Sequence, residues 1–138
     1  MEWLPFEEAL ATAARDGKKV LVFVEAPWCS WCKQMDREVF MNEDRMRAVR
    51  PLFVFTALDA ADDTHTHRYQ GRTLSEKDLA RHLGAAATPT TLLLGADGTV
   101  LTVLPGYVAP DIYVARLRYV GTDAYLRQPF EAFAGQPP

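Results

Sequence analysis

Two apolar runs, Lys19–Val24 (K-V-L-V-F-V) and Leu52–Leu58 (L-F-V-F-T-A-L), most constrain what this chain can fold into. Neither alternates polar with apolar residues, so each reads as a strand buried on both faces, with a layer of structure on either side of its sheet. Between them the period turns helical from Cys29, through Met35, Val39 and Phe40. Asn42 then caps a second helical piece, Glu43 to Val49, with Glu43 and Asp44 in its first turn and Pro51 as its stop. Strand, helix, strand in this order implies a right-handed crossover between two parallel strands.

The flanking segments complete the pattern. Pro5 to Arg15 predicts an amphipathic helix with Phe6, Leu10 and Ala13 on one face, ended by Asp16-Gly17. Ala60 to Thr73 is polar and aperiodic and reads as a long loop, with His65 and His67 as solvated residues within it. Ser75 caps a helix that carries Leu79 and Leu83 and ends at Gly84, with His82 near its last carbonyls. Thr90–Leu94 and Thr99–Leu104 flank the turn Gly95-Ala96-Asp97-Gly98 and form a hairpin. Pro110-Asp111 opens a last helix with Ile112, Val114, Leu117 and Val120. The order α-β-α-β-α-β-β-α predicts an α/β fold: a central mixed β-sheet of parallel strands plus an antiparallel hairpin, flanked by helices, with an extra N-terminal helix. Residues 1–138 read as a single domain, its core at about 19–121 and residues 135–138 frayed.

Composition narrows the partners. The 138 residues are 49% hydrophobic and carry a net charge of -3, with no basic patch. That argues against nucleic acid and against an anionic membrane surface. No run approaches the roughly 20 apolar residues of a membrane span, so direct membrane insertion is not expected. Met1 to Pro5 lacks the features of an export signal, which leaves a cytoplasmic protein or the mature form of an exported one. Nothing in the sequence calls for more than a monomer.

Both cysteines lie in E-A-P-W-C-S-W-C-K, residues 25–33. Cys29 and Cys32 at this spacing are a redox pair, half a zinc site or a structural staple. Zinc needs four ligands, and His65 and His67 are the remaining donors in reach of the argument, so no metal is expected. Cys29 stands where a buried strand ends and a helix begins. The free N–H groups there favour a thiolate and lower its pKa from about 8.5 toward ~7 or below. On this geometry Cys29, the more exposed, attacks, and Cys32, one turn further along, resolves.

Trp28–Lys33 resembles the W-C-x-x-C-K signature of the thioredoxin family, Thr88-Pro89-Thr90 resembles its cis-proline segment, and Gly106 resembles a third, weaker position. The likeness runs from Val20 to Tyr119. Within the superfamily the chain most resembles bacterial proteins of the SoxW type, through Trp28–Phe40 and Pro105-Gly106-Tyr107, and more loosely the C-terminal domain of DsbD-type reductases. The resemblance implies a thiol–disulfide oxidoreductase that reduces protein or peptide disulfides through Cys29 and Cys32, with no cofactor beyond that disulfide. An upstream thiol reductant would resupply electrons, and the setting would be extracytoplasmic. A disulfide oxidase or isomerase, or a binding module with a redox switch, are the alternatives.

The resemblance also implies that Trp28, Ser30, Trp31, Thr88, Pro89 and Gly106 meet the substrate, with Trp28 and Trp31 as an apolar lip. General thioredoxins carry a buried Asp six residues before the first cysteine, where this chain has Phe23. Asp36, four residues after Cys32, is the candidate acid/base in its place. Glu25 reads as a strand-end residue pointing to water, Lys33 as an exposed helix lysine, and Tyr107 as a residue of the cleft border or of the core.

Overall fold

The computed structural model describes residues 2–136. In chain order the elements are α1 (Phe6–Asp16), β1 (Lys19–Glu25), α2 (Ser30–Met35), a π-helical turn (Asp36–Phe40), α3 (Glu43–Arg47), β2 (Phe53–Asp59), β3 (Thr66–Tyr69), β4 (Arg72–Ser75), α4 (Glu76–Leu83), β5 (Thr90–Leu94), β6 (Val100–Pro105), α5 (Pro110–Gly121) and α6 (Phe130–Ala134). The two apolar runs pair in parallel, from Lys19↔Phe53 to Glu25↔Asp59. β5 lies antiparallel on the other edge of β1, and β6 antiparallel on β5, so the sheet order is β2-β1-β5-β6.

Pleating divides the strand residues between two cores. Val20, Val22 and Val24 of β1, with Leu92 and Leu94 of β5, pack under α1 and α4 through Phe6, Ala9, Ala13, Leu79 and Leu83. Leu21, Phe23, Phe55 and Leu93 point the other way and meet Met35, Val39, Phe40, Tyr113 and Leu117. Cys29 and Cys32 belong to this second core. Tyr113 is fully buried there, and its hydroxyl pairs with that of Thr91 at 2.7 Å, so no polar atom of the ring is orphaned.

The segment expected to be a long loop is structured in its second half. β3 and β4 form an antiparallel ribbon, closed by Gln70 and Gly71 at φ 51° and 80°. Its strands are short and polar, which hides them from periodicity, and its anchors come from elsewhere in the chain. Tyr69 is buried and donates to the Gly98 carbonyl at 2.6 Å. His67 corrects the expectation of a solvated residue: it is half-buried, its ring nitrogens paired with Glu7 of α1 and with Glu76 of α4. His65 is exposed and hydrogen-bonds Asp62. His82 does not turn to the helix carbonyls; its ring lies edge-on to Tyr69 at 5.9 Å.

Boundaries move by a residue or two. α2 starts at Ser30 with Cys29 as its N-cap, α3 ends at Arg47, and a short 3-10 turn over Arg50–Leu52 precedes β2. Ser75 ends β4 and caps α4, its Oγ accepting from the Asp78 N–H at 3.1 Å. The tail is more ordered than its punctuation suggests: Phe130 and Phe133 of α6 each stack on Tyr119 at 5.4 Å. Of the segment expected to fray, Gly135 and Gln136 follow α6, while Pro137 and Pro138 lie outside the described residues. Trp3 was given no role by the sequence; it forms a parallel bridge to Phe55 and packs edge-on against Phe40 at 5.1 Å.

Gly121, the last residue of α5, seats that helix on β2. A Cβ there would lie 2.9 Å from the Phe53 ring and 3.0 Å from the Leu52 Cβ, and the latter moves only with its backbone. Gly121→Ala is therefore expected to cost about 1–3 kcal/mol through overpacking. A denaturant midpoint equal to wild type would show that α5 can lift off β2 freely.

Candidate active site

The site begins where β1 runs out of sheet. After Glu25 the chain turns through Ala26, Pro27 and Trp28, and the Cys29 N–H donates to the Ala26 carbonyl at 3.1 Å. Cys29 takes the N-cap position in extended backbone, φ -82° and ψ 102°. Its Sγ accepts the Cys32 N–H at 3.1 Å, the bond that a Ser or Asp oxygen makes at an ordinary helix start. The two cysteines are joined as a disulfide, with Cα atoms 5.3 Å apart.

Exposure does not separate them as expected, since Cys29 is 7% and Cys32 4% exposed. What separates them is the cap. Sγ of Cys29 sits at the helix end with an amide aimed at it, while Cys32 lies one turn inside.

The residues named from the sequence as substrate contacts gather around this end of the sheet. Trp28 and Trp31 stay 74% and 53% exposed, and Ser30 between them is exposed as well. Trp31 packs against Tyr107 at 4.9 Å, and the Tyr107 hydroxyl donates to Glu38 Oε1, which holds the lip in place. The Thr88–Pro89 peptide is cis. Val24 pairs with Thr90, so the antiparallel register carries Pro89 to the level of Glu25, at the end of the sheet from which the cysteines hang. Gly106 has φ 76°, and its N–H donates to the Pro89 carbonyl at 2.8 Å, tying the end of β6 to the proline segment.

Phe23 is buried against Phe40, ring centroids 5.1 Å apart. The polar counterpart lies one pleat further on. Trp3, Glu25, Cys32, Lys33, Asp36 and Ala57 line a cavity of about 340 Å³ beside the disulfide. Asp36 is half-buried at the start of the π-helical turn. Such turns widen a helix and recur at functional sites.

Glu25 is exposed at the rim, as expected, and it is also one of the residues that line the cavity. Partial loss of hydration raises its pKa above the ordinary carboxylate value, and the negative charges of Asp36, Asp59 and Glu76 add to the rise. Among the described residues no cluster of three or more His, Cys, Asp or Glu is placed to hold a metal ion. His65 and His67 are engaged with Asp62, Glu7 and Glu76 instead.

Three comparisons with known proteins bear on this arrangement. No curated protein matches the chain. Among solved structures, a thioredoxin-fold protein from Helicobacter pylori is 17% identical, with a TM-score of 0.73 over 86% of this chain and 83% of that one. A thioredoxin from Thermus thermophilus is 27% identical, with a TM-score of 0.67 over 87% and 86%. The oxidised C-terminal domain of DsbD from Neisseria meningitidis is 20% identical, with a TM-score of 0.60 over 83% and 94%. A family model described as a thioredoxin-like domain matches residues 6–121, which takes in α1, the whole four-stranded sheet and α5. With its C-x-x-C disulfide at the end of the central strand, the chain belongs to the thioredoxin-like family.

Proposed function

We propose that the protein is a protein-disulfide reductase that works through a Cys29–Cys32 dithiol–disulfide cycle. The observation that carries the chemistry is the Cys32 amide directed at Cys29 Sγ, 3.1 Å away at a helix start. When the pair is reduced, the same amide and the positive helix end stabilise a thiolate on Cys29. That thiolate attacks one sulfur of a partner disulfide, forming a mixed disulfide and releasing the first partner thiol. Cys32 then attacks Cys29 Sγ, closing the internal disulfide and releasing the second. Two electrons pass from the dithiol to the partner, and an upstream thiol reductant returns them. The exchange runs on the two sulfurs, without cofactor or metal.

Local charge supports the reducing direction. A strong oxidant of this kind owes its potential to a highly stabilised thiolate. Here the cavity beside Cys32 is lined by the acidic residues Glu25 and Asp36, and Lys33 is the one cation among its lining residues. Negative neighbours oppose thiolate formation and make the dithiol the better electron donor.

The partner is a protein or peptide disulfide. Trp28 and Trp31 offer it exposed aromatic area, and burying rings of this size is worth on the order of several kcal/mol in transfer energy. Ser30, Thr88, Pro89 and Gly106 complete the surface that receives it. Such substrates persist in oxidising, extracytoplasmic compartments, and one monomer suffices for the cycle. Among the described residues no helix is long and apolar enough to cross a membrane.

Two measurements test this reading. Cys29→Ser is expected to lose insulin-disulfide reduction down to background, and Cys32→Ser to accumulate a covalent mixed disulfide identifiable by mass spectrometry. Retained partner binding with no reduction by the wild-type chain would point to a binding module. Equilibration with glutathione is expected to give a potential of about -270 mV, whereas one of about -120 mV would make the protein an oxidant.

A further inference from the structure

The second tryptophan of the lip is held by a residue outside the cysteine segment. Trp31, 53% exposed, lies against the ring of Tyr107 with centroids 4.9 Å apart. Tyr107 is half-buried between β6 and α5, against the core that contains both cysteines. Three contacts fix it. Its backbone follows Gly106, whose N–H donates to the Pro89 carbonyl at 2.8 Å. Its ring meets Trp31 in the first turn of α2. Its hydroxyl donates to Glu38 Oε1 on the π-helical turn, seven residues beyond Trp31. Seven residues are about two helical turns, so the tyrosine bridges two points on one side of the helical segment.

Glu38 is anchored in turn. It is half-buried, and its carbonyl accepts from Arg45 Nη1 at 2.9 Å, while Arg45 Nη2 lies 3.7 Å from Asp111 of α5. Gly106-Tyr107 therefore joins the two walls of the site, the proline segment and the α2 lip. An indole on a helix surface samples several rotamers when nothing supports it. A ligand that must order such a side chain loses part of its affinity. Stacking on a tethered ring sets the indole before the ligand arrives.

We propose that Tyr107, tethered by Glu38, is a positioning residue that presets Trp31 as an apolar shelf, so that the site favours polypeptide disulfides with apolar residues beside the cysteine over small disulfides. The proposal rests on the thiol–disulfide exchange reading above and names the substrate class of that site. Glutathione disulfide carries no apolar side chain beside its cysteines and leaves the shelf uncovered. A polypeptide continues past the reacting sulfur, and an apolar neighbour there removes indole and phenol surface from water.

The test compares two disulfide-linked peptides of equal length, one with Leu beside each cysteine and one with Ser, and glutathione disulfide as a third substrate. Wild type is expected to favour the Leu peptide in kcat/KM, through KM. Tyr107→Phe keeps the ring and removes the tether. It is expected to lower the preference for the Leu peptide over glutathione disulfide about 2- to 10-fold, the span of one aromatic contact. Glu38→Ala is expected to match it, and Glu38→Gln, whose amide oxygen still accepts the hydroxyl, to restore most of the preference. In a Trp31→Ala background, adding Tyr107→Phe is expected to change nothing further, because the tyrosine acts through the indole. An equal loss on all three substrates, an unchanged ratio in Tyr107→Phe, or an undiminished effect without Trp31 would each overturn the proposal.

Binding without chemistry separates this from failure of the exchange reading. The oxidised chain is expected to bind the Leu peptide, its cysteines replaced by Ser, more tightly than its Ser counterpart, and Tyr107→Phe to narrow that difference. Equal binding of the two peptides by wild type would overturn the shelf. The expected binding pattern with no reduction of either disulfide peptide would support the shelf and strike the exchange reading alone.

Discussion

The rest of the structure depends on the burial of β1 along both edges and both faces. β2 and β5 take its backbone groups, and two separate cores take its side chains. A strand held this way has little freedom, so the turn at its C-terminal end is presented at a set place and angle. That turn carries Cys29 to the start of α2, and the antiparallel register of β5 carries Pro89 to the same level. The redox pair and the proline segment, about sixty residues apart in sequence, meet because one strand positions both.

At the cysteines two electrostatic effects act in opposite directions. The N-cap geometry of Cys29 favours its thiolate through an amide and the helix end. The carboxylates on the cavity side disfavour a second negative charge at Cys32. They act on different sulfurs, so they separate the roles of the pair rather than cancel. In the proposed cycle the sulfur at the cap is the one that ionises for attack, and the inner one resolves. Exposure, which differs by only 7% against 4%, contributes almost nothing to that division.

Much of this was legible in the sequence, for a physical reason. Strands buried on both faces leave an unbroken apolar signature, and Lys19–Val24 and Leu52–Leu58 show it. Helix caps are local chemistry, so Asn42 and Ser75 could be read directly, and both accept the expected amide. The β3–β4 ribbon was not legible, because its four-residue strands are polar and its stability comes from distant partners. His67 reaches Glu7, 60 residues earlier, and Tyr69 reaches Gly98, 29 residues later. Trp3 escaped notice for the same reason: the contact that places it is with Phe55. No window of sequence contains both halves of such a pair.

The site divides along the same line. Cys29, Cys32, Trp28 and Trp31 sit in one stretch, and their geometry follows from a strand giving way to a helix. The surroundings of Glu25 do not follow from that stretch alone. Its neighbours come from β2, α4 and a π-helical turn, and the wide turn that brings Asp36 beside the cavity has no sequence signature of its own. Exposure by itself would have left Glu25 a solvated carboxylate. What sets it apart is partial loss of hydration together with the negative charges of Asp36, Asp59 and Glu76, while Phe23, one pleat earlier on the same face, is apolar and fully packed. Beyond Phe23, the first position on that face open enough to hold a charge is the one that borders Cys32.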